Sequence, residues 1–218
     1  VGLFFLLNTT LCLFLPAVVP TVFASPPELR AVSISEPIIL DGRLDEPAWQ
    51  TAQVADDFRQ REPDEGERAS QSTEVRVLYS RFQLYIGVTC HDSDPSAIVV
   101  TRFNRDSNLA ADDRVTLLFD TFLDHRNAFK FQTNSVGTRV DELIGDEGES
   151  ENRDWNGIWN VKTNQTPTGW TAEFAIPFQT LSFAQGQSTW GFNIQRIIKR
   201  NNEETVWTGY RQKLDFNR

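Results

Sequence analysis

After residue 36 the apolar positions recur every second residue. Residues 73–79 set Val75, Val77 and Tyr79 against Glu74, Arg76 and Leu78. Residues 84–91 set Leu84, Ile86, Val88 and Cys90 against Tyr85, Gly87, Thr89 and His91. Successive side chains of a strand point to opposite faces, so this period predicts strands with distinct faces. The short link 80–83 between the two runs predicts a hairpin. The same pattern predicts strands at 114–119, 128–134, 138–143, 159–163, 170–176, 190–198 and 205–209, with a turn at 134–137. Helical signals are brief. At 45–50, DEPAWQ predicts one turn with Asp45 as N-cap and Pro47 in the first turn. A second turn is expected around 178–181, after Pro177. Many short strands and few helical turns predict an all-β fold: a two-sheet, mostly antiparallel β-sandwich. The acidic, glycine-containing segment 146–154 predicts an exposed loop.

Residues 1–24 break from this pattern. They carry no charge and end in Val22-Phe23-Ala24. A cleaved secretory signal is the first reading, although a basic n-region is missing. A membrane anchor is the other reading. Pro16 and Pro20 interrupt the apolar run short of the ~20 residues a bilayer needs. The expected organisation is a signal at 1–24, a lead-in at 25–36, the sandwich at 37–212, and a linker or continuation from 213 to 218. The net charge of −9 and pI near 4.8 argue against nucleic acid and anionic membranes as partners. Cys12 falls in the leader, which leaves Cys90 alone and expected as a buried, inert thiol.

Five segments then carry a family resemblance. They are IILDGRLDEPAW at 38–49, TEVRVLY at 73–79 with LYIGV at 84–88, DDRV at 112–115 running into Phe119-Asp120, GWTAEFAIPF at 169–178, and WGFN at 190–193. In this order they resemble family 9 carbohydrate-binding modules over about residues 36–209. Their spelling is most similar to modules placed before a predicted outer-membrane β-barrel in Gram-negative bacteria. The resemblance implies non-catalytic binding of a saccharide or polysaccharide, linked to polysaccharide breakdown or glycan uptake. It implies export to the periplasm, the outer membrane or the medium. A β-barrel or catalytic domain in the same full-length protein is an implied partner. A structural plug or docking domain without sugar binding is the competing reading, and an accessory part of a glycoside hydrolase is the third. Any hydrolysis of O-glycosyl bonds is expected outside this chain. The resemblance further implies a sugar clamp of two tryptophans. One slot falls near Ala110, in NLAA at 108–111, and no tryptophan follows Trp207 for the other.

Individual residues have their own physical readings. Asp41-Gly42 suits a turn needing positive φ. Trp49 is expected as a core plug closing one end of the sandwich. Glu173 is expected either half-buried against Arg196 or a cation, or facing solvent. Replacement sugar contacts are sought in Trp155, expected exposed while Trp159 is core, in a rim of Arg102, Phe103 and Arg105, and in Asn134 at its turn. Both tryptophans buried is the other reading. Family members bind calcium, and Asp92, Asp94, Asp112, Asp113 and Asp120 are the candidate oxygen ligands. Solvated loop acids are the alternative. No nucleotide motif is present. Haem of the kind held through Met in a related sandwich family is excluded, because the chain has no methionine.

Overall fold

The alternating segments pair into two stacked sheets. The computed structural model describes residues 27–209 together with Arg211, Phe216 and Asn217, so the expected leader lies outside the described residues. The strands are β1 (Val32–Ser33), β2 (Arg59–Glu62), β3 (Thr73–Tyr79), β4 (Gln83–His91), β5 (Arg114–Asp120), β6 (Ala128–Asn134), β7 (Arg139–Gly145), β8 (Ser150–Asn152), β9 (Asn160–Thr166), β10 (Gly169–Pro177), β11 (Gly191–Ile198) and β12 (Glu203–Val206). One sheet runs β1-β3-β4-β10-β9 and the other β2-β12-β11-β5-β6-β7-β8. Every pairing is antiparallel except β1 with β3. The expected sandwich is therefore present.

The three strands that alternation missed, β1, β2 and β8, are edge strands. Their sequences VS, RQRE and SEN have no apolar face to reveal them. β8 corrects the reading of 146–154 as loop alone, because residues 150–152 pair with β7. The single α-helix among the described residues, α1 (Pro47–Thr51), has Glu46 rather than Asp45 at its N-cap, with no side-chain cap bond.

Inward positions of both sheets form the main core, including Val75, Ile86, Phe174, Leu117, Phe131 and Ile194. Trp159 lies in it, stacked on Phe174 at 6.0 Å. Burial pushes the Cys90 thiol up to about 11, as suits an inert core residue.

The outer face of the five-stranded sheet is also covered. Ile38, Trp49 and Ala52 pack there on Leu78, Tyr85 and Ala175. Trp49 is fully buried as expected. It lies on the outside of this sheet, however, not at an end between the sheets. Gly87 makes room for it, since a Cβ there would meet Leu44 at 2.8 Å and Trp49 at 3.0 Å. The reading of Glu173 is corrected more sharply. It is fully buried beneath this covering segment, and it faces neither Arg196 nor solvent. Its carboxylate accepts from the backbone N–H of Asp41 and Gly42, each at 3.0 Å, and from Trp49 Nε1 at 3.2 Å. Gly42 has φ +88°, as its turn requires, and a Cβ there would strike the Thr163 backbone at 2.6 Å.

Candidate functional site

The outer face of the seven-stranded sheet carries polar side chains beside an apolar cluster of Leu118, Ala128, Ile144, Val206 and Phe216. On β5, Val115, Leu117 and Phe119 turn inward to the core, so Arg114 and Thr116 turn outward. Register sets Gln132 of β6 and Gln195 of β11 on either side of Thr116. Lys130 lies opposite Glu142 of β7. This face holds a groove of two lobes, of about 210 and 220 Å³. Both lobes are lined by Arg114, Lys130 and Gln132. Together they reach the lower end of the about 300–1,000 Å³ usual for small-ligand sites. Asn108, Leu109 and Ala110 wall the first lobe, and Arg61, Glu204 and Phe216 the second. Phe216, expected at the start of a linker, is buried with Leu118, Ala128, Ile144 and Val206.

Most charges in the groove are matched. Arg61 contacts Glu204 at 2.6 Å, and Gln195 donates to the same carboxylate at 2.8 Å. Lys130 lies 3.0 Å from Glu142 and 3.2 Å from Glu151, and Arg153 contacts both acids. Asp106 and Asp141 share Arg105 at the far end. Arg114 differs. Its Nη1 donates to the carbonyls of Leu109 and Ala110, and no carboxylate among the described residues lies within ion-pair distance. Desolvation by burial lowers its pKa from the usual arginine value. The Thr116 hydroxyl is buried in the floor and has no hydrogen-bond partner among the described residues. Such a group is costly unless something binds it. The arrangement offers planar amides, a hydroxyl, carboxylates and a guanidinium in one concave surface. That suits recognition of a ligand rich in hydroxyl groups.

The residues picked from the sequence sit beside the groove rather than in it. Asn134 is buried, and both ends of its amide are used. It donates to the Arg102 carbonyl and to Asp112, and accepts from the N–H of Val136 and Thr138. It staples a loop. Arg105 holds Asp141 at 2.7 Å and also bonds Asn156 and Gly157. Arg102 and Phe103 are exposed, on the loop that leads to the Ala110 wall. Trp155 is half-buried rather than exposed, packed on Phe129 and Phe131 at 5.4 and 5.9 Å.

The five candidate calcium ligands do not meet in one cluster of three or more acids among the described residues. No group of three or more His, Cys, Asp or Glu side chains among the described residues could hold a metal. Their oxygens are taken by N–H and O–H donors instead. Asp92 binds Arg200 at 2.7 Å, and Asp94 accepts from Ser96. Asp112 accepts from Thr101, Arg102 and Asn134, and Asp113 from the Lys199 N–H. Asp120 caps the loop after β5 through the N–H of Phe122, Asp124 and His125. Burial alone would raise the Asp112 carboxyl, but those donors hold it below the usual range. Adding a strong chelator is therefore expected to leave the melting temperature unchanged. A drop of several degrees that added calcium reverses would contradict this.

The groove residues Arg114, Thr116, Lys130, Gln132 and Gln195 were not singled out from the sequence. Their outward phase on predicted strands was the available signal. It does not say which sheet keeps an open outer face.

A family model described as carbohydrate family 9 binding domain-like matches residues 39–215. Comparison with curated proteins gives no match. Among solved structures, the chain is similar to a family 9 carbohydrate-binding module from Caldicellulosiruptor kristjanssonii in complex with cellotriose. The TM-score is 0.57 at 15% identity, covering 81% of each chain. A second structure, of a family 9 module from that organism with glucose, gives 0.54 at 17%, covering 81% of this chain and 83% of the other. A protein of Bacteroides uniformis ATCC 8492 gives 0.61 at 11%, covering 81% and 87%. At these identities the likeness shows the fold.

Proposed function

The chain belongs to the carbohydrate family 9 binding domain-like family, and from that premise we propose that it binds saccharide, without catalysis, in the groove of the seven-stranded sheet. The observation that carries this is the floor row Gln132–Thr116–Gln195, two amides flanking an unpartnered buried hydroxyl. The cellotriose and glucose bound by similar modules support it. The site differs from a tryptophan clamp. Ala110 stands in the wall, and the one aromatic lining residue among the described residues, Phe216, is buried. Binding here rests on hydrogen bonds more than on stacking. The groove's paired carboxylates, Glu142 and Glu204, already hold cations, which suits recognition rather than proton transfer. The apolar leader supports export, with polysaccharide breakdown or glycan uptake as the setting and any hydrolase activity in an attached domain.

Calorimetry with mono-, oligo- and polysaccharides, neutral and acidic, tests this. Saturable binding is expected, weakened roughly tenfold or more by Gln132→Ala with Gln195→Ala. Flat titrations across the panel would remove the proposal. A docking role toward a β-barrel is the second reading. It is favoured by apolar side chains exposed near one another, Phe82 at 71% and Phe183 at 40%, both next to Phe178. Reading the gene beyond codon 218 for ~10-residue alternating strands tests it.

A further inference from the structure

We infer that the groove selects acidic saccharides, with Arg114 receiving a sugar carboxylate such as that of a uronate; this rests on saccharide binding at the same groove. The first ground is charge. Glu204 is taken by Arg61 and Gln195, and Lys130 and Arg153 are taken by Glu142 and Glu151. Those groups cancel within the groove. Arg114 makes no ion pair among the described residues and feels Glu204 and Asp112 only through space, in a protein whose net charge is −9. Its ties are two backbone carbonyls at a single nitrogen, Nη1, at 3.1 and 3.5 Å. A guanidinium has five donors in a planar fork, so most of its capacity is unspent. It lines both lobes, which puts it at the centre of the groove.

The second ground is desolvation. Arg114 is half-buried, and an unpaired guanidinium so placed gains more from an arriving anion than an exposed one would. The third is its neighbours. Thr116 lies two residues along the same strand with its hydroxyl unpartnered, and Gln132 pairs across from Thr116. A carboxylate on Arg114 would leave the ring hydroxyls of the same sugar facing these groups. A planar carboxylate matches the planar fork, and a sulfate, two of whose oxygens can also meet it, serves as the competing anion.

The experiment uses three probes of one length: cellotriose, cellotriose oxidised at C6 to the carboxylate, and cellotriose sulfated at C6. Each is titrated into the full chain at low and moderate salt, for wild type, Arg114→Gln and Arg114→Lys. Wild type is expected to bind the oxidised probe roughly tenfold or more tightly than cellotriose, with the preference shrinking as salt rises. Arg114→Gln should lose that preference, so that its affinities for the oxidised and neutral probes become equal. Arg114→Lys, charged but without the fork, should keep a smaller one. An unchanged melting temperature of the Gln variant shows that the domain is intact. Equal affinity of wild type for oxidised and neutral probes overturns the inference and leaves saccharide binding standing. A preference for the sulfated probe overturns the carboxylate assignment. Failure of every probe to bind overturns both readings together.

Discussion

Replacing Glu173 with alanine is expected to destabilise the domain by about 3–5 kcal/mol, the range for breaking a buried charged network. The side chain is fully buried between the five-stranded sheet and the segment laid over it. Removing it leaves three donors without an acceptor: the buried Gly42 amide and Trp49 indole, and the part-buried Asp41 amide. Each orphaned donor costs about 1–3 kcal/mol. The same carboxylate fastens the turn at Gly42 and the tryptophan of α1, so the covering segment should loosen as a unit. Urea denaturation and Trp49 fluorescence would follow it. Glu173→Gln keeps a carbonyl acceptor and should cost much less. An alanine variant within 1 kcal/mol of wild type would refute the network's role.

Acidity gives a second handle on the same group. Burial pushes the Glu173 carboxyl up to about 7 from an ordinary 4.5, with Glu46 adding to the rise, against the pull of the three N–H donors. The native state then holds a proton more tightly than the unfolded chain does. The resulting stabilisation is full below pH 4.5 and lost as pH rises through about 7. Wild type should accordingly lose stability across that window, by roughly 3 kcal/mol. Glu173→Gln should lack this slope.

Arg196→Leu should be nearly as damaging, again by about 3–5 kcal/mol. Arg196 is 1% exposed, between the sheets at the end of the sandwich. It donates to the carbonyls of Ser72 at 3.0 Å and His91 at 2.8 Å and to the Thr73 hydroxyl at 3.2 Å. Asp92 lies 3.7 Å away and is also held by Arg200. Leucine fills the volume but strips the carbonyls of a donor and leaves buried Asp92 with one cation. A double-mutant cycle with Asp92→Asn should show clear coupling. Strictly additive losses would mean that the pair does not interact.

These two residues mark how far the sequence could be read. Alternation identified nine strands to within three residues at their ends, because a strand with one buried face must write that face into its sequence. It missed the polar edge strands, whose only cause is pairing with a neighbour. It also placed Trp49 and Trp159 in apolar surroundings, since large apolar side chains are buried wherever the chain allows. Partners were less legible. Glu173 and Arg196 look alike in sequence, each a charge inside an apolar run. One meets backbone amides 131 and 132 residues away, the other an aspartate on the opposite sheet. Five aspartates suggested a cation; Asp94 and Asp120 accept from donors in their own loops, while Asp92, Asp112 and Asp113 meet arginine, asparagine and backbone donors far along the chain. No local pattern records such donors.

By itself, then, the sequence determined an all-β sandwich, which residues of each long strand turn inward, and the turn at Asp41-Gly42. These follow from local periodicity and backbone sterics. Only the tertiary structure decided that residues 38–52 cover one outer face while the other keeps a polar groove. It alone showed that Arg114 has no ion-pair partner among the described residues while nearby cations are matched. Face orientation is a property of neighbouring residues. Whether a face is covered, and whether a charge is answered, depends on segments far apart in the chain, which meet only on folding.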